Sequence, residues 1–257
     1  MTVEERITQW MRGREEELVA ALAPIIAAES TCAEPQPGLP FGPGPALALD
    51  RALTLAHSWG FATENHQGYV GTADLNDKPE GLHVLAHLDV VGAGDGWDTD
   101  PYTLVRDGDL IYGRGTDDDK GPLVAVLLAM RCVRELGLPL SKNVRLIMGT
   151  DEETGSRDIE YYYKSHPFAP YTLSPDADFP VTNIEKAHYA PKFSARWEKT
   201  QGSGVRVLAM EGGIRTNVAP ANCKAMLQHV DLQQLEEILE GITRETGVNM
   251  TVRQEGD

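Results

Sequence analysis

A histidine and an aspartate two residues apart, His87 and Asp89, close the apolar run L-H-V-L-A-H-L-D-V-V-G at 82–92. Such a run reads as a buried strand. Alternate side chains along a strand face the same way, so the two groups project together at its exit. A carboxylate placed there accepts the proton of one imidazole nitrogen and leaves the other nitrogen free to bind a metal. The same pair also suits a hydrogen-bonded core histidine beside a turn aspartate.

Acidic residues recur at places of the same kind further along. G-R-G-T-D-D-D-K-G (113–121) sets Asp117, Asp118 and Asp119 in front of a helix predicted from Lys120 to about Leu136. They could serve as capping and dipole residues. Three adjacent like charges repel one another, however, and a cation would offset that cost better than solvent alone. The predicted strand N-V-R-L-I-M-G (143–149) runs into T-D-E-E-T-G, bringing Asp151, Glu152 and Glu153 to its carboxyl end. A short strand, Tyr171 to Leu173, runs into S-P-D-A-D with Asp176 and Asp178. Strand exits that repeatedly carry His and acid point to an oxygen-rich metal site with one imidazole, which suits zinc, cobalt or manganese. Adjacent glutamates leaving a strand project differently, so one can ligate while its neighbour stays free for proton transfer.

The elements that must position these groups alternate between helix and strand. Thr2 followed by Glu5 is a capping-box signature, and Ile7, Trp10, Met11, Leu18 and Leu22 predict one amphipathic helix through about Ala28. A Pro- and Gly-rich loop, Glu34 to Gly44, precedes a helix that opens near Pro45 and stops at Gly60. Strands are predicted at Tyr69–Leu75 and Leu82–Ala86, the second apolar enough to be buried on both faces of a parallel sheet. Gly92 to Pro101 reads as a loop, and Asp107-Gly108 as the turn of a hairpin within Thr103–Tyr112. From about Ala187 the character changes. Strands at Tyr189–Trp197, Val205–Met210 and Cys223–Val230, a helix at Asp231–Thr246 and a strand beginning at Val248–Arg253 form a second pattern.

With 257 residues, 41% hydrophobic and 24% charged, the composition is that of a globular protein with a core. A formal charge of −16 without a basic cluster excludes nucleic acid as a partner. Cys32, Cys132 and Cys223 are far apart and form no C-x-x-C, which predicts reduced thiols and a cytoplasmic protein. Charged residues at the N-terminus and the lack of a long apolar run predict neither a signal peptide nor a membrane partner.

Together, H-L-D-V-V, G-R-G-T-D-D-D-K-G, G-T-D-E-E-T-G-S and S-P-D-A-D-F-P resemble the co-catalytic di-zinc exopeptidases and deacylases. That family includes aminoacylases, acetylornithine deacetylase, succinyl-diaminopimelate desuccinylase and carboxypeptidase G. F-G-P-G (41–44), G-D-G-W-D-T-D-P (94–101), L-G-L-P-L-S-K (136–142) and the stretch 179–186 are most similar to its bacterial dipeptidase V (PepV-type, Xaa-His dipeptidase or carnosinase-like) branch.

The resemblance implies an α/β fold, with a mixed, mostly parallel central sheet flanked by helices and the start of a smaller α/β lid domain. Residues 1–186 would be the N-terminal part of the catalytic domain, and 187–257 an incomplete lid. His87 and Asp176 would bind the first of two zinc ions, Glu153 the second, and Asp118 would bridge them, with Asp119 the alternative. Asp89 would orient the His87 ring. Glu152 would be the general base, and Asn217 of the lid would contact a small peptide substrate. The resemblance also places a cis peptide bond after the bridging aspartate. The implied activity is hydrolysis of unblocked dipeptides, the alternatives being deacylation of N-acyl amino acids or a fragment with only metal-binding or association capacity. Relatives carry a lid histidine and a last zinc histidine further on, and His166, His188 and His229 lie in no matching context. The expectation is therefore an N-terminal portion of a longer enzyme.

Overall fold

The computed structural model describes residues 1–178, 180–184, 191, 194, 204–213 and 222–254. It divides into two compact units, Met1–Asn183 and Ile184–Asp257.

The first unit opens with α1 (Val3–Met11), closed at its start by the reciprocal capping box. Thr2 Oγ1 accepts the Glu5 amide at 3.2 Å and the Glu5 carboxylate accepts the Thr2 amide at 2.9 Å. The helix does not continue to Ala28 as its periodicity predicts. Gly13 adopts φ +72°, outside the right-handed helical region, and a separate α2 (Glu15–Ile26) follows. α3 (Pro43–Ser58) begins two residues before Pro45, with Pro43 in its first turn, where the missing N–H costs nothing.

Next come β1 (Ala62–His66), β2 (Val70–Asp74), β3 (Glu80–His87) and the small hairpin β4 (Val105–Asp107) and β5 (Leu110–Tyr112). After them lie α4 (Lys120–Glu135), β6 (Asn143–Gly149), a single 3-10 turn at Glu152–Thr154, α5 (Arg157–Tyr163) and β7 (Tyr171–Leu173). Five of these strands form one sheet in the order β1-β2-β6-β3-β7. The β1–β2 and β2–β6 pairs are antiparallel, while β6–β3 and β3–β7 are parallel, so the sheet is mixed, with β2 alone running against the other four strands.

Alternation along the two central strands sorts the core. Val84, Ala86, Leu146 and Met148 face Leu22, Ile25 and Ile26 of α2, Ala48, Leu49 and Ala52 of α3, and Leu123, Val124 and Leu127 of α4. Leu85 and Ile147 point the other way, toward Ile159, Tyr162 and Tyr163 of α5. Burial on both faces explains why β3 and β6 read as near-continuous apolar runs.

In the second unit, β8 (Arg206–Gly212) pairs antiparallel with β9 (Cys223–Gln228). α6 (Leu232–Thr246) follows, with the Asp231 carboxylate accepting the Gln234 amide at 2.9 Å. The segment 248–253 is not a strand, because no partner ladder forms beside it among the described residues. The strand predicted at Tyr189–Trp197 falls almost wholly outside the described residues. Cys32, Cys132 and Cys223 are free thiols, and no helix among the described residues is long and apolar enough to cross a membrane.

Candidate metal centre

The parallel half of the sheet builds the site. β3 and β6 end side by side, with His87 opposite Gly149, so the chain leaves both strands at one edge. β7 pairs only as far as Leu173 opposite Val84, and Ser174 to Asp176 extend past its end toward His87.

Around the buried His87 ring, Nε2 lies 2.9 Å from Asp118 Oδ1 and 3.5 Å from Asp176 Oδ2. Neither approach has hydrogen-bond geometry, and Nε2 is a buried polar atom without a hydrogen-bond partner. Ligand atoms of His87, Glu152 and Asp176 all fall within 4.8 Å of one another. The structure thus gathers His87, Asp118, Asp176 and Glu152 at one point. Glu153, the other half of the tandem, is held beside them through its amide. Asn217 lies outside the described residues.

Asp89 is fully buried, but its carboxylate does not chiefly orient the imidazole. Its Oδ1 and Oδ2 accept the amides of Glu152 at 3.0 Å and Glu153 at 3.1 Å. The nearer partner of His87 Nδ1 is the main-chain carbonyl of Asp89, at 3.0 Å, with the carboxylate oxygen at 3.5 Å. One residue therefore fixes the ring through its backbone and the glutamates through its side chain.

The three adjacent aspartates also separate. Asp119 takes the N-cap position of α4 but caps no helix amide; its Oδ2 accepts the His87 amide at 3.1 Å. Its Oδ1 is buried without a partner. Asp118 is the one whose carboxylate meets the imidazole, and the bond between the two aspartates is cis, where the resemblance places one.

Excess negative charge shows in the titration of these groups. Burial pushes Asp119 up to about 7, although the His87 charge and amide pull the other way. Burial raises Glu152, opposed by His87 and reinforced by Glu153. Glu153 is raised by burial and by Asp118, against a hydrogen bond from Val91. Burial alone would lower His87, but Asp118, Asp176 and Asp89 outweigh it and raise its pKa above the ordinary imidazole value. A buried imidazole nitrogen faced by two carboxylates without a well-formed hydrogen bond to either, with further acids forced toward neutrality, fits a divalent cation bound by one nitrogen and several oxygens.

Four supporting residues escaped the sequence reading. Ser30 Oγ donates to the Leu88 carbonyl at 2.6 Å, and the fully buried Lys120 donates to the Ala28 carbonyl at 2.8 Å. Burial lowers Lys120 to about 7. The Cys32 thiol lies 3.6 Å from Asp89 Oδ2, and burial pushes it up to about 12. Asp158 is fully buried behind the Glu152 turn. None carries a local signal, since each acts on a main-chain group or acid remote in sequence or hidden by the fold.

A profile described as Peptidase family M20/M25/M40 matches residues 83–237. YtjP of Bacillus subtilis (strain 168) is 39% identical over 194 residues, covering 75% of this chain and 42% of its own length. The Beta-Ala-Xaa dipeptidase of Lactobacillus delbrueckii subsp. lactis is 36% identical over 198 residues, with 77% and 42% covered. The chain thus spans about two fifths of the length of these curated relatives. Among solved structures, human carnosine dipeptidase 1 aligns with a TM-score of 0.57 and 27% identity, over 67% of this chain and 41% of that one. The M20 family metallo-carboxypeptidase Sso-CP2 of Sulfolobus solfataricus aligns with a TM-score of 0.53 and 17% identity, over 91% and 76%, a likeness of fold.

Proposed function

The chain belongs to peptidase family M20/M25/M40, and from that premise we propose that it acts as a metal-dependent dipeptidase with a two-zinc centre, hydrolysing the peptide bond of unblocked dipeptides. The observation that carries this reading is the orphaned His87 Nε2, buried and faced by the carboxylates of Asp118 and Asp176. The relatives add the substrate class, because both Beta-Ala-Xaa and carnosine name dipeptides with a free amino end.

His87, Asp118, Glu153 and Asp176 are assigned to hold the ions, with Asp118 shared between them. Bound metal would supply Lewis acidity, lowering the pKa of water and polarising the scissile carbonyl. Glu152 is assigned as general base. Its carboxylate lies within reach of the His87 and Asp176 ligand atoms, and burial has already raised its proton affinity toward the range a proton-transfer group needs. It would take a proton from water and deliver it to the leaving amine. Asp89 would keep the base and the imidazole in register, and Asn217 is assigned to substrate.

The test is hydrolysis of β-Ala-His by the purified protein, with and without chelator, beside N-acetyl and N-succinyl amino acids and beside Glu152→Ala. Chelator-sensitive cleavage of the dipeptide, lost in Glu152→Ala, is expected. Cleavage of the N-acyl amino acids alone would make the protein a deacylase, and equal behaviour of variant and wild type would remove the enzyme reading.

A further inference from the structure

Four consecutive main-chain amides, Thr150 to Glu153, follow β6 and carry the two glutamates. Buried carboxylates take all four. Asp158 Oδ2 accepts the first two, from Thr150 at 2.5 Å and Asp151 at 3.0 Å. Asp89 accepts the second two. The remaining oxygen of Asp158 accepts the Ile159 amide at 2.7 Å, so both ends of this fully buried carboxylate are committed.

The approach depends on Gly149. A Cβ there would stand 2.5 Å from Asp158 Oδ2, too close to coexist with the carboxylate where it lies. The Asp151 side chain does not compete, because its oxygens are engaged by Arg157 Nε and Nη2, both at 2.7 Å.

We propose that Asp158 is a positioning residue: seated against Gly149, its carboxylate fixes the Thr150–Asp151 peptides and so sets where Glu152 and Glu153 stand relative to His87. It needs no contact with metal or substrate. Orientation of the first two peptide planes leaves Asp89 to complete the turn, and together they aim adjacent glutamates at one centre. The proposal rests on reading that centre as a metallopeptidase site. Asparagine cannot replace this aspartate, since one of its two ends would present N–H groups to an amide that also donates.

The test compares the whole protein with Asp158→Asn and Gly149→Ala, the second displacing the carboxylate without removing it. Zinc affinity is measured by competition with a chromophoric chelator, kcat and KM on β-Ala-His, and folding by circular dichroism. In folded variants, kcat with KM unchanged, zinc affinity, or both should fall by about 10–100-fold, the usual effect of losing a group that supports metal-site residues. Loss of kcat alone assigns the effect to Glu152, and loss of affinity alone to Glu153. A merely structural role would reduce the folded amount and leave kcat per folded molecule intact. Wild-type kcat and zinc affinity in a folded variant would overturn the proposal, as would failure of both variants to fold. If the wild type binds zinc but cleaves no dipeptide, the peptidase reading fails and zinc affinity alone decides.

Discussion

The carboxylate of Asp89 accepts the main-chain amide of Glu152 at 3.0 Å, a bond that ties the exit of β3 to the exit of β6. Because the same residue offers its carbonyl to His87 Nδ1, the imidazole and the Glu152 main chain are tied within one hydrogen-bonded unit. Glu152 should therefore act as a rigidly held proton carrier. Glu152→Gln keeps the shape and removes the base, and kcat on a dipeptide should fall by about 10²–10⁴-fold. Steady-state kinetics checks this, and a kcat within error of wild type would contradict it.

Metal uptake should release protons. The carboxylates of Asp118, Asp176 and Asp89 outweigh burial and raise the pKa of His87, so a cation would compete with a proton for the ring. Affinity should rise with pH, by about tenfold per unit for each proton released. Calorimetric zinc titrations in buffers of different ionisation enthalpy measure the release directly. His87→Ala should bind more weakly and release fewer protons, and pH-independent binding by the wild type would refute the assignment.

Arg145 is the cation of a half-buried cluster on the sheet. Its guanidinium meets Asp74 through Nε and Nη2, both at 2.9 Å, and Glu80 at 2.5 Å. With this side chain 19% exposed, Arg145→Met would remove the guanidinium shared by Asp74 and Glu80 and leave them only the neutral-amide contact of Asn143 and the His83 ring. The expected loss is about 3–5 kcal/mol in urea unfolding, the range for breaking a buried pair. A loss under about 1 kcal/mol, as at exposed pairs, would show that solvent screens the cluster.

His66 should make the fold acid-sensitive. Burial lowers its pKa below the ordinary 6.5, despite the opposing charge of Glu64. Below that pH the unfolded chain takes up a proton that the folded chain resists, so this contribution is complete above 6.5 and drains away as pH falls toward the folded value. The melting-temperature difference between wild type and His66→Gln should therefore move against the wild type between neutral and acid pH. A constant difference would mean that the residue titrates alike in both states.

Much of this was legible in the sequence for a physical reason. β3 and β6 are buried on both faces, so their apolar runs announce them, and acids directly after such runs fall at the strand ends where the fold converges. β1 was not legible: Ala-Thr-Glu-Asn-His is polar and mostly exposed at the sheet edge, so no alternation marks it. The helix break at Gly13 was missed because apolar spacing continues across it. Asp89 and Asp119 were recognised as acids of the site, but their work is on main-chain amides, which sequence spacing does not encode. Asp158 reads locally as a first-turn helix acid, and only the fold turns it against Gly149.

β7 spans only Tyr171 to Leu173, all three exposed, and stands last in the strand order. Asp176 thus follows an edge strand, while the imidazole and both glutamates hang from central strands. Fraying of so short a ladder costs far less than global unfolding. Local opening of that outer ribbon would carry the Asp176 carboxylate away from the imidazole while leaving His87 and the tandem glutamates where the central strands hold them.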